Sequence, residues 1–290
     1  MLGSIAGGPG LVQSVRSMEA AFAARRGHAP DLPGAFAEAF ASHAAQHPAL
    51  ARAGAAIATA MDHLAHDSAG PGDLPYHNRH HAAEATLAMG WLCRVGQDHG
   101  LISGADAALG IVAMVGHDMH HDGTVGGDGR LERRARDAVL AIAGAAGVAT
   151  LVLDRLGDVI LGTALASVPR NGARLQGLLP PGPHGPGHDA LRALANEADV
   201  CASLLPRLGP SLGHLLAAER GLPDPGPASG PDSGPDSGPG SGIADSRLTF
   251  LRSVPKLSGP AEAIGLGEAR AQSLAAPTRR GGPDERGTGS

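Results

Sequence analysis

Apolar residues recur along most of this chain at intervals of three or four positions, and glycine and proline separate the stretches that show this pattern. That period is typical of amphipathic helices. We find no convincing alternation of apolar and polar residues, the pattern that would indicate half-buried strands. The predicted helices cover residues 11–26, 34–46, 48–66, 78–97, 103–117, 131–144, 149–166, 188–208 and 211–220. The sequence therefore predicts an all-α fold.

The composition changes abruptly over residues 221–242, where Gly-Pro-Asp-Ser units are repeated. Such a segment has little apolar area to bury and does not sustain a helix, which predicts a disordered insertion. Residues 247–251 and 260–274 again have the character of ordered segments. We therefore expect a single helical domain over residues 1–275 that the insertion interrupts, and a disordered polar tail over 276–290.

The composition limits the classes of function and partner that the chain is expected to have. Apolar residues make up 42% of the 290, enough for a sizeable core, and the 2% of aromatics leaves Leu, Val, Ile and Ala to build it. The formal net charge of −5 gives no broad basic surface, so nucleic acid is not an expected partner. No apolar run reaches the ~20 residues that span a bilayer, and the first residues lack the pattern of a secretory signal. The expectation is a cytoplasmic protein without a membrane partner, in which Cys93 and Cys201 are buried thiols.

The chain has 15 histidines, and they are unevenly spread. The first group lies in residues 76–81, which read YHNRHH after a segment rich in Gly and Pro. Asn78 is a good N-cap candidate, which places His77 in the preceding loop and His81 one turn into the helix. Residues four apart at a helix start project to the same side. One of these histidines can then bind a metal while the other faces a substrate held by it.

The second group, His117-Asp118, ends a strongly apolar helix. Burying both side chains is costly unless a metal or hydrogen bonds satisfy them. A carboxylate can bridge two ions, and neutral imidazole suits zinc or iron. Asp199 lies near the apolar face of the predicted helix 188–208, and a metal shared with these residues would give it a partner. The alternatives are that His117 and Asp118 only cap their helix and that Asp199 is a surface carboxylate.

The order His…His-Asp…Asp resembles the HD superfamily of metal-dependent phosphohydrolases. More particularly, the Tyr-His-Asn-x-x-His start and the later His-Asp-x-x-His-x-Gly resemble the catalytic domain of class I cyclic-nucleotide phosphodiesterases, over about residues 75–200. The resemblance implies a multi-helix bundle around a metal centre. It also implies two divalent cations, which would be zinc, magnesium, manganese or iron.

The resemblance implies a role for each residue that matches the family pattern. His77 corresponds to the general acid that protonates the leaving oxygen, and His121 to a histidine that contacts metal-bound water. Glu132 falls near the expected position of an acidic residue beside the second metal, to which Asp118 would bridge. The implied ligands of the first metal are His81, His117, Asp118 and Asp199.

The expected nucleotide pocket departs from the family pattern. Family members hold the purine with a glutamine and stack it on a phenylalanine three residues later, whereas this chain has Arg247 and Phe250 at these positions. Arginine donates hydrogen bonds but cannot accept them. The residues expected to contact substrate are Tyr76, His77, Arg247 and Phe250.

The leading functional hypothesis is hydrolysis of a 3′,5′-cyclic nucleotide to a nucleoside 5′-monophosphate, through a metal-bridged hydroxide and His77. One alternative is another HD phosphohydrolase that acts on a nucleotide monoester or a polyphosphate. An alternative of a different class is a catalytically silent module that senses a metal or a nucleotide.

Overall fold

The structure is a computed structural model that describes residues 11–66, 73–124, 127–222 and 240–275, with the side chains of 11–14, 65–66 and 240–246 left undescribed. Within these ranges the chain forms helices and no strand. The helices are α1 (Leu11–Arg26), α2 (Leu32–Phe40), α3 (Pro48–His66), α4 (Arg79–Asp98), α5 (Gly104–Gly116), α6 (Arg130–Ala145), α7 (Thr150–Gly162), α8 (Val168–Leu175), α9 (Pro186–Leu204), α10 (Leu208–Glu219), α11 (Gly240–Ser253), α12 (Gly259–Ala263) and α13 (Leu266–Ala275). The all-α prediction is confirmed.

One predicted helix, 149–166, is divided in the structure. α7 ends at Gly162, a short 3₁₀ turn covers Leu165–Ser167, and α8 follows as a helix that the sequence did not predict. Pro169 lies in the first turn of α8, where its missing N–H and fixed φ are tolerated, but it cannot continue a preceding helix. The apolar periodicity runs through this break, which explains why the pattern alone did not locate it.

The predicted insertion at 221–242 lies largely outside the described residues, as does the predicted tail at 276–290. Residues 240–242, at the end of the predicted insertion, belong to α11. The domain organisation therefore stays a prediction.

α4, α5 and α9 pack against one another in the core, and a glycine permits their close approach. A Cβ on Gly110 of α5 would lie 2.4 Å from Met89 Cε of α4 and 2.7 Å from Leu191 Cδ1 of α9. At the end of the same helix, a Cβ on Gly116 would lie 2.5 Å from Val139 Cγ2 of α6. The residues that follow Gly116 therefore begin at a position held by close packing on several sides.

The structure also bears on the predictions about the cysteines and about membrane spans. Cys93 and Cys201 are both buried and free, as expected. None of the described helices combines the length and the apolar character needed to cross a membrane.

Candidate metal centre and acid site

Three helix ends bring the predicted metal ligands together. His81 lies in the first turn of α4, where the Asn78 side chain accepts hydrogen bonds from the backbone N–H groups of His80 and His81 at 3.0 and 3.1 Å. This is the predicted N-cap. His117 and Asp118 follow α5 directly, and Asp199 lies in the last turns of α9.

The four side chains converge on one point. His81 Nε2 lies 3.2 Å from Asp118 Oδ2 and 3.0 Å from Asp199 Oδ1. His117 Nε2 lies 3.2 and 3.3 Å from the same two oxygens. One possible ligand atom from each residue lies within 4.8 Å of the others. We call His81, His117, Asp118 and Asp199 the ligand cluster.

The ligand cluster requires a positive charge at its centre. His117 Nδ1 lies 2.8 Å from the Met114 carbonyl oxygen, so Nδ1 carries a hydrogen and the neutral ring has its lone pair on Nε2. That lone pair faces two carboxylate oxygens, and His117 Nε2 and His81 Nε2 are buried without a hydrogen-bond partner in the described part of the chain. Either a proton or a metal ion on Nε2 can supply this charge: burial opposes charge on His117, yet Asp118 and Asp199 raise its pKa well above the usual value. Two imidazole nitrogens and two carboxylate oxygens fit zinc or a similar divalent metal.

A second cluster adjoins the first and contains the predicted general acid. His77 Nδ1 lies 2.5 Å from Glu219 Oε1, and Glu219 Oε2 accepts hydrogen bonds from the backbone N–H groups of Tyr76 and His77 at 2.8 and 2.9 Å. Only 1% of the Glu219 side chain is exposed. Burial raises the pKa of Glu219, but the hydrogen bond and charge of His77 outweigh it and lower that pKa to about 2. We call His77, His121 and Glu219 the acid cluster, of which Glu219 was not predicted.

His121 stacks on His77, with ring centroids 3.8 Å apart and planes 17° from parallel. Its Nδ1 accepts a hydrogen bond from the Gly123 N–H at 3.1 Å, so the ring hydrogen is on Nε2. Burial is the main cause that lowers the pKa of His121, and the charge of His77 adds to it. His121 is therefore a neutral hydrogen-bond donor at neutral pH.

The loop after α5 holds His121 in place. His120 has a φ of 63°, in the left-handed region that residues other than glycine seldom adopt. Its carbonyl accepts a hydrogen bond from Arg134 Nη1 at 3.0 Å, and the same nitrogen lies 3.1 Å from Asp122 Oδ2. These contacts tie the loop to α6 and fix the turn that directs His121 toward His77.

Glu132, predicted near the second metal, lies in the first turn of α6. Its Oε2 is buried and lacks a hydrogen-bond partner among the described residues. Burial is the main cause that raises the pKa of Glu132, and the charges of Asp118 and Asp199 raise it further. Glu132 is therefore close enough to the ligand cluster to feel its charge, and its metal role stays a prediction.

Tyr76 packs between the two clusters. Its ring centroid lies 4.7 Å from that of His77 and 4.9 Å from that of His81, and its hydroxyl lies 3.0 Å from Ser203 Oγ. Burial is the main cause that raises its pKa, so the phenol stays neutral. These contacts orient both histidines, and the predicted contact with substrate stays a prediction.

The two residues of the expected nucleotide pocket lie in α11. Arg247 Nη2 lies 3.5 Å from the Leu205 carbonyl oxygen and 3.3 Å from Ser273 Oγ, between the end of α9 and α13. Phe250 is half-buried and packs against the core. The hydrogen bonds observed for Arg247 therefore join helices to one another, and the substrate-binding roles of both residues stay predictions.

Comparisons with known proteins identify the fold. No family model matches the chain, and no curated protein matches it. Among solved structures, it is similar to the phosphodiesterase domain of the RhoPDE fusion protein from the choanoflagellate Salpingoeca rosetta, with 15% identity, a TM-score of 0.57, and 84% of this chain and 91% of that chain covered. A second structure, the phosphodiesterase domain of Salpingoeca rosetta rhodopsin phosphodiesterase, has 16% identity, a TM-score of 0.57 and coverages of 84% and 88%. LmjPDEB1 in complex with IBMX has 15% identity, a TM-score of 0.52 and coverages of 93% and 98%. The chain thus has the all-helical fold of phosphodiesterase domains, and the ligand cluster lies within it.

Proposed function

We propose that this protein is a divalent-metal-dependent phosphodiesterase that hydrolyses a 3′,5′-cyclic nucleotide to the nucleoside 5′-monophosphate. The observation that carries the proposal is the adjacency of two clusters with complementary chemistry. The ligand cluster attracts a cation, and the acid cluster presents a histidine held by a carboxylate. Tyr76 contacts one histidine of each cluster, His77 and His81.

The ligand cluster would hold the metal through His81, His117, Asp118 and Asp199. Divalent metal at such a centre supplies water activation at neutral pH and neutralises charge on phosphoryl oxygens. The contribution of the chain is to fix these donors at helix ends. Close packing around Gly116 sets where the His117-Asp118 pair begins.

His77 supplies the proton that the leaving alkoxide needs. Its Nδ1–H donates to Glu219, which leaves Nε2 as the nitrogen that holds the transferable proton. The Glu219 carboxylate remains ionised because its pKa is held at about 2, so it accepts this hydrogen bond throughout the neutral range. A positioned general acid of this kind contributes about 10²–10⁴ in rate.

His121 supports this step by remaining neutral. A second cationic ring stacked on His77 would repel the charge that His77 carries before it donates its proton. The lowered pKa of His121 avoids that repulsion. The Nε2–H of His121 is then free to donate a hydrogen bond within the site.

The test is a product assay on metal-loaded protein. The protein is incubated with cyclic AMP or cyclic GMP, and separately with nucleoside monophosphates and triphosphates. We expect 5′-monophosphate from the cyclic substrates without inorganic phosphate, because opening a cyclic diester releases none. Phosphate release from monoesters or polyphosphates, without turnover of cyclic nucleotides, would establish the other phosphohydrolase activity instead. Metal and nucleotide binding without turnover of any substrate would establish a silent sensing module.

A further inference from the structure

A second set of histidines and aspartates lies where α7 packs against the start of α9. Asp154 and Asp158 are four residues apart on α7, and His184 and His188 are four apart across the beginning of α9. His188 Nε2 lies 2.9 Å from Asp158 Oδ2, and His184 Nε2 lies 3.6 Å from Asp154 Oδ2. One possible ligand atom each from Asp158, His184 and His188 lies within 4.8 Å of the others. We call Asp154, Asp158, His184 and His188 the α7–α9 cluster.

The orientation of its rings resembles that of the ligand cluster. The rings of His184 and His188 have centroids 4.7 Å apart and planes 69° from parallel, and those of His81 and His117 are 5.3 Å apart and inclined by 59°. Imidazole lone pairs lie in the ring plane, so inclined rings can direct two nitrogens at one ion.

Two arginines lie beside the α7–α9 cluster, and each has a carboxylate partner. Arg155 forms an ion pair with Asp106, and the same Nη2 lies 3.5 Å from His188 Nδ1. Arg192 Nη1 contacts both oxygens of Asp158 at 3.0 and 3.1 Å. Asp154 has 70% of its side chain exposed, and His184 is its ion-pair partner. Because Arg192 competes for Asp158, a cation should bind here more weakly than at the ligand cluster.

The site is accessible from solvent. A cavity of about 400 Å³ is lined by His184 and His188, together with Leu151 and Arg155. The cavity therefore opens on the two histidines of the cluster from the solvent side. His188 and Asp199 are eleven residues apart in α9, about 16.5 Å at 1.5 Å per residue, so the two clusters are separate sites on one helix.

We propose that the α7–α9 cluster binds one zinc ion through Asp158, His184 and His188, with Asp154 beside His184 at the exposed edge of the site. Two imidazole nitrogens with a carboxylate oxygen suit zinc better than calcium or magnesium, which prefer oxygen ligands alone. The ligands come from two elements, so the ion would link α7 to the start of α9. Because zinc would bind the folded chain only, it would also raise the melting temperature.

Metal content tests this site independently of the proposed activity. In an Asp118→Ala background, which disables the ligand cluster, dialysis against buffered zinc is expected to leave one zinc per chain. Adding His184→Ala should weaken zinc binding by more than about 10–100-fold. Removal of a residue that only hydrogen-bonds to a metal ligand already causes a loss of that size, and His184 is a proposed ligand itself. His214→Ala, an exposed histidine of α10, is the matched control and should retain the zinc.

The same comparison in the chain with an intact ligand cluster guards against a folding defect in Asp118→Ala. His184→Ala should then hold one zinc fewer than His214→Ala and lose part of the zinc-induced rise in melting temperature. Cobalt in place of zinc should give the visible absorption of a tetrahedral site. His184→Ala should remove the part of this absorption that comes from the α7–α9 cluster. Equal zinc content in the His184→Ala and His214→Ala variants, in both backgrounds, would overturn the proposal.

Discussion

The ligand cluster and the acid cluster are both built from histidines and carboxylates, and both use residues of the loop that follows α5. In the ligand cluster, two imidazole nitrogens face two carboxylate oxygens, and the rings are inclined by 59°. In the acid cluster, Glu219 already accepts three hydrogen bonds, and the rings are stacked within 17° of parallel. The first arrangement leaves two imidazole nitrogens without a hydrogen-bond partner among the described residues, whereas in the second the histidine and the carboxylate are already bonded to each other. The same residue types are thus arranged differently, and we propose metal chemistry for the first cluster and proton chemistry for the second.

The largest expected effect follows from breaking the ligand cluster. Asp118→Ala removes the carboxylate oxygen that both histidines face, so metal should be lost and hydrolysis abolished together. Metal analysis and the product assay on the same sample measure this. Asp137→Ala, an exposed carboxylate of α6, is the control and should keep both properties. An active variant free of metal would show that the ligand cluster is not the metal centre.

Breaking the acid cluster should separate the two properties. His77→Ala leaves the four predicted ligands in place but removes the proton donor, so turnover should fall by about 10²–10⁴ with metal retained. The measurement is kcat on a cyclic nucleotide beside metal content. Unchanged turnover would reject the role of His77 as the acid.

A smaller effect is expected from Glu219→Gln, which keeps the shape of the side chain and removes its charge. Losing a charge-assisted hydrogen bond corresponds to a fall in kcat of about 10–100-fold. The metal content of the variant should be unchanged, because the four predicted ligands are untouched. Glu262→Gln, an exposed residue of α12, is the control. A kcat equal to that of the parent chain would contradict the role of Glu219 in holding His77.

The smallest expected effect concerns acid stability. The pKa of Glu219 is lowered from 4.5 to about 2, so its stabilising contribution is complete above pH 4.5 and is lost as the pH falls toward 2. The difference in free energy of unfolding between the parent chain and Glu219→Gln should therefore shrink over that interval. Denaturant titrations of chelator-treated protein at several pH values measure it. A difference that stays constant with pH would contradict the ion pair.

The fold class and the ligand cluster could be predicted from sequence because both depend on local patterns. Apolar periodicity predicts the helices. A His-Asp pair directly after an apolar helix would be costly to bury unless a metal or hydrogen bonds satisfied both side chains. The break between α7 and α8 was missed because the same periodicity continues across it.

Glu219 could not be predicted, for a different reason. It lies 142 positions from His77, and a glutamate at the end of a helix is ordinary in sequence. Only the packing of α10 against the loop before α4 makes it a partner of His77. Arg247 shows the converse: its position matched a family pattern, but its observed hydrogen bonds join α9 to α13 through Leu205 and Ser273.

Gly116 shows how tightly the ligand cluster is coupled to apolar packing. It has no polar side chain, yet a methyl group there would meet Val139 at 2.5 Å and Ile57 at 2.8 Å, well inside van der Waals contact. Relief would require α5 to move away from α3 and α6, and the displacement would carry His117 with it. A screen for inactive variants should therefore recover substitutions at this position, even though the residue takes no part in the chemistry.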